Sequence, residues 1–199
     1  MDKLNDRTDP KTKQQHDLGL DISTSVVGVC LLDASGDLVF LDCIKLTSIK
    51  FETIWDKADE VNAVLSVMMF NKNVRRIFVE ENAKRFAVGY SSADTILTLA
   101  KFNGIVSYLA QKAFSAPVID INVNSARSKL GIKIDRKDKS LSTKQKVLNY
   151  NLKTHPGFPW KTHVAKTGKH VGQLVHDVCN GDMSDAFVVC RAGQIIHPC

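Results

Sequence analysis

The sequence predicts an α/β domain with a mixed five-stranded sheet flanked by helices on both faces. Three observations carry this expectation. The first part of the chain opens with three short, β-branched-rich runs separated by tight turn signals, which reads as an antiparallel meander. Helical and strand-like segments then alternate, which reads as parallel crossovers. Of the 199 residues, 44% are hydrophobic and 24% charged, an ordinary globular balance that allows one sizeable core and excludes wholesale disorder.

Residues 1–16 are polar, mixed in charge and without periodicity, and read as a flexible tail before a single domain over 17–199. Leu18, Leu20 and Ile22 alternate as a first strand, broken by Ser23, Thr24 and Ser25. Val26–Leu32 is a continuous apolar second strand, and Asp33–Asp37 is a turn containing Gly36. Leu38–Leu46 is the third strand. Phe51–Phe70 has helical spacing through Ile54, Ala58, Val61, Leu65 and Met68. Arg76–Glu80 is a short fourth strand ending in acid. Ser92–Phe114 is a long helix capped by Ser91 or Ser92, with Ile96, Leu99, Ile105, Val106 and Leu109 on its apolar side. Pro117–Val123 is the fifth strand, and Ser125–Leu130 is a short helix stopped by Gly131. Thr143–Leu152 is a helix behind a Ser/Thr cap, 153–181 reads as an irregular basic arm, and Ser184–Ile196 is a closing helix. That order is the topology of the ribonuclease H-like fold, and topology alone assigns no activity.

Composition narrows the function classes. No apolar run approaches the roughly 18 residues needed to span a bilayer, so no membrane association is expected. The N-terminus lacks the apolar stretch of a secretory signal. Five cysteines at irregular spacing form no disulfide framework. The expected compartment is a reducing cytoplasm. Residues 127–169 carry twelve Lys/Arg against two Asp, whereas the remainder is mildly acidic. A basic segment on an acidic body suggests a polyanionic partner.

Four acids stand where chemistry is possible. Asp21 lies near the end of the first strand, Glu80 ends the fourth, and Asp182 and Asp185 sit three apart at the opening of the last helix, on one face. The first and fourth strands are central neighbours in this topology, with the last helix beside them, so the four carboxylates can converge. Like charges at close range raise one another's pKa and are costly without a cation. Hard oxygen ligands select Mg²⁺, with Mn²⁺ able to substitute, and two ions about 3.5–4 Å apart can activate water and stabilise a leaving oxygen in phosphodiester hydrolysis. Each acid alone has a plainer reading: Asp21 a turn former, Asp182 a helix cap, Glu80 a surface charge. Neighbours on a strand face opposite ways, so only one of Glu80 and Glu81 is expected to face the site, and the alternation of Ile77 and Val79 with Phe78 leaves open which one.

Residues Leu18-Gly19-Leu20-Asp21 with Gly28, the Val79-Glu80 strand end, the helix containing Ala100-Lys101-Phe102-Asn103-Gly104, and the closing Asp182-x-x-Asp185-Ala186 resemble the RuvC family of Holliday junction resolvases. The resemblance runs from about residue 17 to 195. It implies a ribonuclease H-like fold and a Mg²⁺-dependent endonuclease, acting as a homodimer on four-way DNA junctions. Asp21, Glu80, Asp182 and Asp185 then match the family's metal-binding acids, and Asn122–Lys129 takes the place of a stretch that approaches DNA. The chain departs from the bacterial pattern at Ser23, at Ala83 and in its longer arm, and so looks like a divergent phage- or organelle-type member.

Arg127, Lys129, Lys133, Arg136, Lys137, Lys139 and Lys144 are candidates to position phosphates. Phe86 and Tyr90 are candidates to stack on unpaired bases, or else core or interface residues. Gly104 and Ser107 make the long helix a candidate dimer interface. His155, His163, His170, His176 and Cys179 match no standard zinc spacing, although His176 could assist a metal near Asp182. Three alternatives keep a nucleic acid or nucleotide partner: a nuclease for other branched DNA or RNA–DNA hybrids, a non-catalytic nucleic-acid-binding module, and a sugar-kinase-like nucleotide binder. The last needs glycine-rich phosphate loops, and the chain has none.

Overall fold

The computed structural model describes residues 14–47, 49, 51–81, 93–134 and 140–198. Its main sheet is built from β1 (Gln15–Ile22), β2 (Val26–Asp33), β3 (Leu38–Lys45), β4 (Asn73–Glu80) and β5 (Val118–Ile121), in the spatial order β3-β2-β1-β4-β5. The β1–β2 and β2–β3 pairs are antiparallel, and β1–β4 and β4–β5 are parallel. The five-stranded mixed sheet expected from the sequence is therefore present.

Two cores cover the two faces. Side chains alternate on a strand, so Leu18, Leu20 and Ile22 of β1, with Ile77 and Val79 of β4, point to one side. There they meet α1 (Ile54–Met68) and α2 (Ala93–Phe114) through Ala58, Val61, Leu65, Phe102 and Val106. Cys30, Leu32 and Phe78 point to the other side and pack on α5 (Cys179–Ile196), supported by α3 (Val123–Lys129) and α4 (Thr143–Thr154). Burying each Leu, Ile or Phe contributes roughly 1.5–3 kcal/mol relative to exposure. Both α1 and α4 start in capping boxes: Thr53 with Asp56, and Ser142 with Gln145.

Glycines set the contact between α5 and the sheet. A Cβ on Gly19 would lie 2.4 Å from the Cys190 Cβ, and one on Gly28 would lie 2.1 Å from the Asp182 carbonyl oxygen. Helix backbone thus rests directly on strand backbone at these two points, which only glycine permits. Gly28 is also the register partner of Asp21.

Several boundaries differ from expectation, among them the start of β1, the arm and the start of α5. Gln15 and His16, assigned to the tail, belong to β1, and His16 is buried; its strand partners on β2 and β4 outweigh the polar pattern. The arm expected to be irregular over 153–181 gives its ends to α4 and α5 and contains a hairpin of β6 (Thr162–Val164) and β7 (Leu174–His176). Helix α5 starts at Cys179, five residues before the expected Ser184. Gly181 signals a break in the sequence, but a glycine inside a helix costs only about 1 kcal/mol, and this helix is buried from Cys179 to Gln194 almost without interruption.

At the end of β1 away from Asp21, the buried Asp17 carboxylate anchors both edges of the α5 face. A bulge between His16 and Asp17 sets Asp17 opposite Arg76 and leaves Arg75 as the extra residue. Both guanidinium groups then donate to the same carboxylate at 2.8–2.9 Å, and Gln194 Nε2 of α5 donates at 2.8 Å. Burial alone would raise the Asp17 pKa, but these hydrogen bonds overcome it and hold the group at about 2. That value lies below the ordinary 3.8, so the stabilisation is complete above about pH 4 and is lost as pH falls toward 2. Asp17→Asn is expected to lose about 3 kcal/mol in urea unfolding at neutral pH, since it removes the buried negative charge that two part-buried guanidinium groups share. The difference from the parent should shrink as the pH is lowered through that window, and a constant difference would assign the loss to packing instead.

Candidate active site

The strand alternation that sends Ile77 and Val79 to the α1–α2 side sends Phe78 to α5, and Glu80 follows Phe78. Asp21 lies on the same side of β1, opposite Gly28, where α5 touches the sheet. Asp182 and Asp185 occupy the first two turns of α5 above that contact. The result is a cavity of about 610 Å³ at the C-terminal ends of β1 and β4, lined by Asp21, Glu80, Asp182 and Asp185. Four acids separated by as many as 164 residues in the chain are thereby brought to one place.

Their electrostatics reflect that proximity. Burial raises the Asp21 pKa well above the ordinary carboxylate value, and the charges of Asp185 and Glu80 raise it further. Burial and Asp185 likewise raise Glu80. Burial raises Asp185, with Asp182 adding to it and Arg127 and Lys144 opposing. The ionised cluster is therefore costly in the absence of cations.

Two basic side chains reduce that cost. Lys144 Nζ, from the first turn of α4, forms a short ion pair with Asp182 Oδ1. Burial works to lower the Lys144 pKa, but the Asp182 hydrogen bond and the charges of Asp182, Asp21 and Asp185 outweigh it and the pKa is raised. The Lys144 stem crosses Gly181, where a Cβ would lie 2.6 Å from Lys144 Cε. Arg127 Nη2 of α3 stands 3.7 Å from Asp185 Oδ1. Both residues were expected as phosphate contacts, and the structure places them beside the acids.

The remaining candidates separate. Lys129 is exposed at the end of α3, and Lys133 lines an adjoining cavity of about 540 Å³ that shares Arg127 and Thr143 with the acid site. Phe86, Tyr90, Arg136, Lys137 and Lys139 lie outside the described residues. Glu81 also lines the acid cavity, and its carboxylate accepts from Asn122 Nδ2 at 3.1 Å, so both neighbouring acids line the site. Strand β4 ends at Glu80, which frees Glu81 from strict alternation. Sequence reading passed over Asn103, a buried polar residue of α2 in the same cavity; the signal was an asparagine amid the apolar pattern of that helix.

Among the described residues, no three His, Cys, Asp or Glu side chains stand together in an arrangement that could hold a metal ion. The donors nonetheless suit one. Asp185 Oδ1 is buried without a hydrogen-bond partner, and the set is made of hard carboxylate oxygens, the type that Mg²⁺ and Mn²⁺ take. Asp21, Glu80, Asp182 and Asp185 are the carboxylates such an ion would draw on, and they would have to approach one another more closely than they stand here. The histidines of the arm form no zinc cluster among the described residues.

No family model and no curated protein matches the chain. Among solved structures, Thermus thermophilus RuvC in complex with a Holliday junction substrate matches at a TM-score of 0.57 and 13% identity, covering 89% of this chain and 91% of that one. A second structure of Thermus thermophilus RuvC matches at 0.52 and 16% identity, covering 89% and 92%. The fold is ribonuclease H-like. The likeness spans about nine tenths of both chains.

If repulsion among the acids is the dominant strain, removing a charge should stabilise the metal-free protein. Asp21→Asn is expected to raise the midpoint of thermal unfolding in EDTA, and Lys144→Met to lower it. Added Mg²⁺ should recover the Lys144→Met loss, giving a larger Mg²⁺-dependent shift than in the parent. Equal shifts in parent and variant would show that Lys144 does not neutralise the cluster.

Proposed function

We propose that the chain is a Mg²⁺-dependent endonuclease that resolves four-way DNA junctions by paired, symmetric cuts. The observation that carries this reading is the convergence of Asp21, Glu80, Asp182 and Asp185 in one cavity beside Lys144 and Arg127. Two divalent ions held by the acids would supply an activated water and a stabilised leaving oxygen. Arg127 and Lys144 have the charge to hold the scissile phosphate, and Lys129 and Lys133 to hold its neighbours, without reading sequence. The products are 5′-phosphate and 3′-hydroxyl ends. The fold neighbour seen with a Holliday junction substrate supports the choice of a branched duplex as substrate.

A junction has two-fold symmetry and needs two cuts, so the reading includes a homodimer. The candidate surface lies where α1 and α2 meet. Trp55, Leu97 and Tyr108 are more than half exposed there, around a cavity of about 470 Å³ lined by Ala100, Gly104 and Ile105. A Cβ on Gly104 would meet nothing within 4 Å, which leaves room for a partner helix to approach. No helix among the described residues is long and apolar enough to cross a membrane.

The deciding experiment incubates the protein with an immobile four-way junction and with plain duplex, with and without Mg²⁺. Cutting of the junction alone, restored by Mn²⁺ after chelation, is expected; equal cutting of both substrates would reject junction selectivity. Asp21→Asn should slow cutting by on the order of a thousandfold, the equivalent of several kcal/mol of metal-assisted stabilisation, while junction binding persists. For the dimer, Leu97→Glu with Tyr108→Glu is expected to halve the mass seen in analytical ultracentrifugation, and an unchanged mass would place the interface elsewhere.

A further inference from the structure

We propose that the β6–β7 hairpin is a DNA-contacting arm that packs Val164 and Leu174 against bases exposed at a branch point. The inference rests on the nuclease reading for its substrate and goes beyond it in naming the element that senses the branch.

The hairpin is held rigidly at its base. Asn180 of α5 clasps Lys161 from both sides, accepting from its amide at 3.2 Å and donating to its carbonyl at 2.8 Å. Asp177 N donates to the same carbonyl at 2.9 Å, and the Lys45 ammonium pairs with Asp177 at 3.0 Å. Lys161 Nζ pairs with Asp42 of β3. Trp160 and Phe158 stack edge to face and pack on the α5 core. These contacts leave the hairpin little freedom at its root, two residues before α5 begins.

Beyond the root, its surface has an unusual composition. Val164 and Leu174 are register partners, so they share one face of the ribbon. They are 55% and 70% exposed, and Val171 near the tip is 59% exposed. Val178, between the hairpin and α5, is 81% exposed and lines the acid cavity itself. On the same face the Thr162–His176 pair lies between the Val164–Leu174 pair and the root, so the exposed apolar groups sit at the outer part of the hairpin and at Val178 on the rim of the site. Residues 161–176 hold three lysines, of which Lys161 is paired with Asp42, three histidines and no carboxylate. A partner that is polyanionic and also offers apolar faces fits this surface, and unstacked nucleobases on a phosphate backbone meet both conditions. In intact duplex those faces are stacked away, so the contact favours branched DNA.

The test measures binding by fluorescence anisotropy on an Asp21→Asn background, comparing a four-way junction with duplex. Val164→Ser with Leu174→Ser is expected to weaken junction binding about tenfold, while duplex affinity stays the same. The slope of log K against log salt should also stay the same, because no cation is removed. Leu174→Met should keep junction affinity. Equal affinity of the double variant and its parent for the junction would overturn the inference. So would a change confined to self-association in the absence of DNA, which would mean that the strip covers a protein surface. As a readout independent of any hairpin substitution, a junction carrying 5-iodouracil beside the branch should photo-cross-link to the 162–176 peptide, and cross-links found only elsewhere would also overturn it. Cutting of the same junction by the unmodified protein is measured in parallel. Hairpin-dependent binding without any Mg²⁺-dependent cutting would remove the nuclease reading and leave the arm, whereas cutting with hairpin-independent binding would remove the arm alone.

Discussion

Mutual repulsion among buried carboxylates is the constraint around which the rest of this molecule is arranged. Asp21, Glu80 and Asp185 all have raised pKa values from burial and from one another or from Asp182. A fold adopts such an arrangement only if other interactions press the acids together. Here the force comes from α5, a helix buried along most of its length between the sheet and α3–α4. Gly19 and Gly28 let that helix lie on β1 and β2 without intervening side chains. The contact that brings Asp182 down toward Asp21 is therefore made of backbone, which side-chain rearrangement cannot relax.

The two ends of β1 show opposite solutions to burying an aspartate. Asp17 has two guanidinium groups and an amide aimed at it, and its pKa falls to about 2. Asp21 has acids for neighbours and Lys144 as the main opposing charge, and its pKa rises. The first arrangement is complete within the chain and locks α5 to the sheet through Gln194. The second is incomplete in charge and gains from any external cation, which is the condition expected of a site that binds ions and then a polyanion. The Asp17 end ties α5 to the sheet, while the Asp21 end gathers charges that the chain only partly compensates.

Strand order and both layers of helices were legible in the sequence, because periodicity reports which face of a local element is apolar; the four acids, expected to converge, line one cavity. In the structure Leu18, Leu20 and Ile22 face the α1–α2 core, which leaves Asp21 on the opposite face. Less was legible where long-range contact overrides local pattern. Helix α5 runs through Gly181 because burial outweighs glycine's intrinsic cost, and Gln15 and His16 join β1 because neighbouring strands pair with them. Two short strands inside the basic arm escaped notice, since three-residue strands carry too little alternation to detect.

What the sequence determined on its own was a set of elements, each with an apolar face, and a group of acids at the element ends. Tertiary structure alone decided that Lys144 and Arg127 lie among those acids, that Glu80 and Glu81 reach the same cavity, and that a bulge aims two arginines at one aspartate. The reason is physical: a side chain's face follows from the local backbone period, whereas its charge partners depend on how closely elements distant in sequence approach, and here that approach is set by glycines beneath a buried helix.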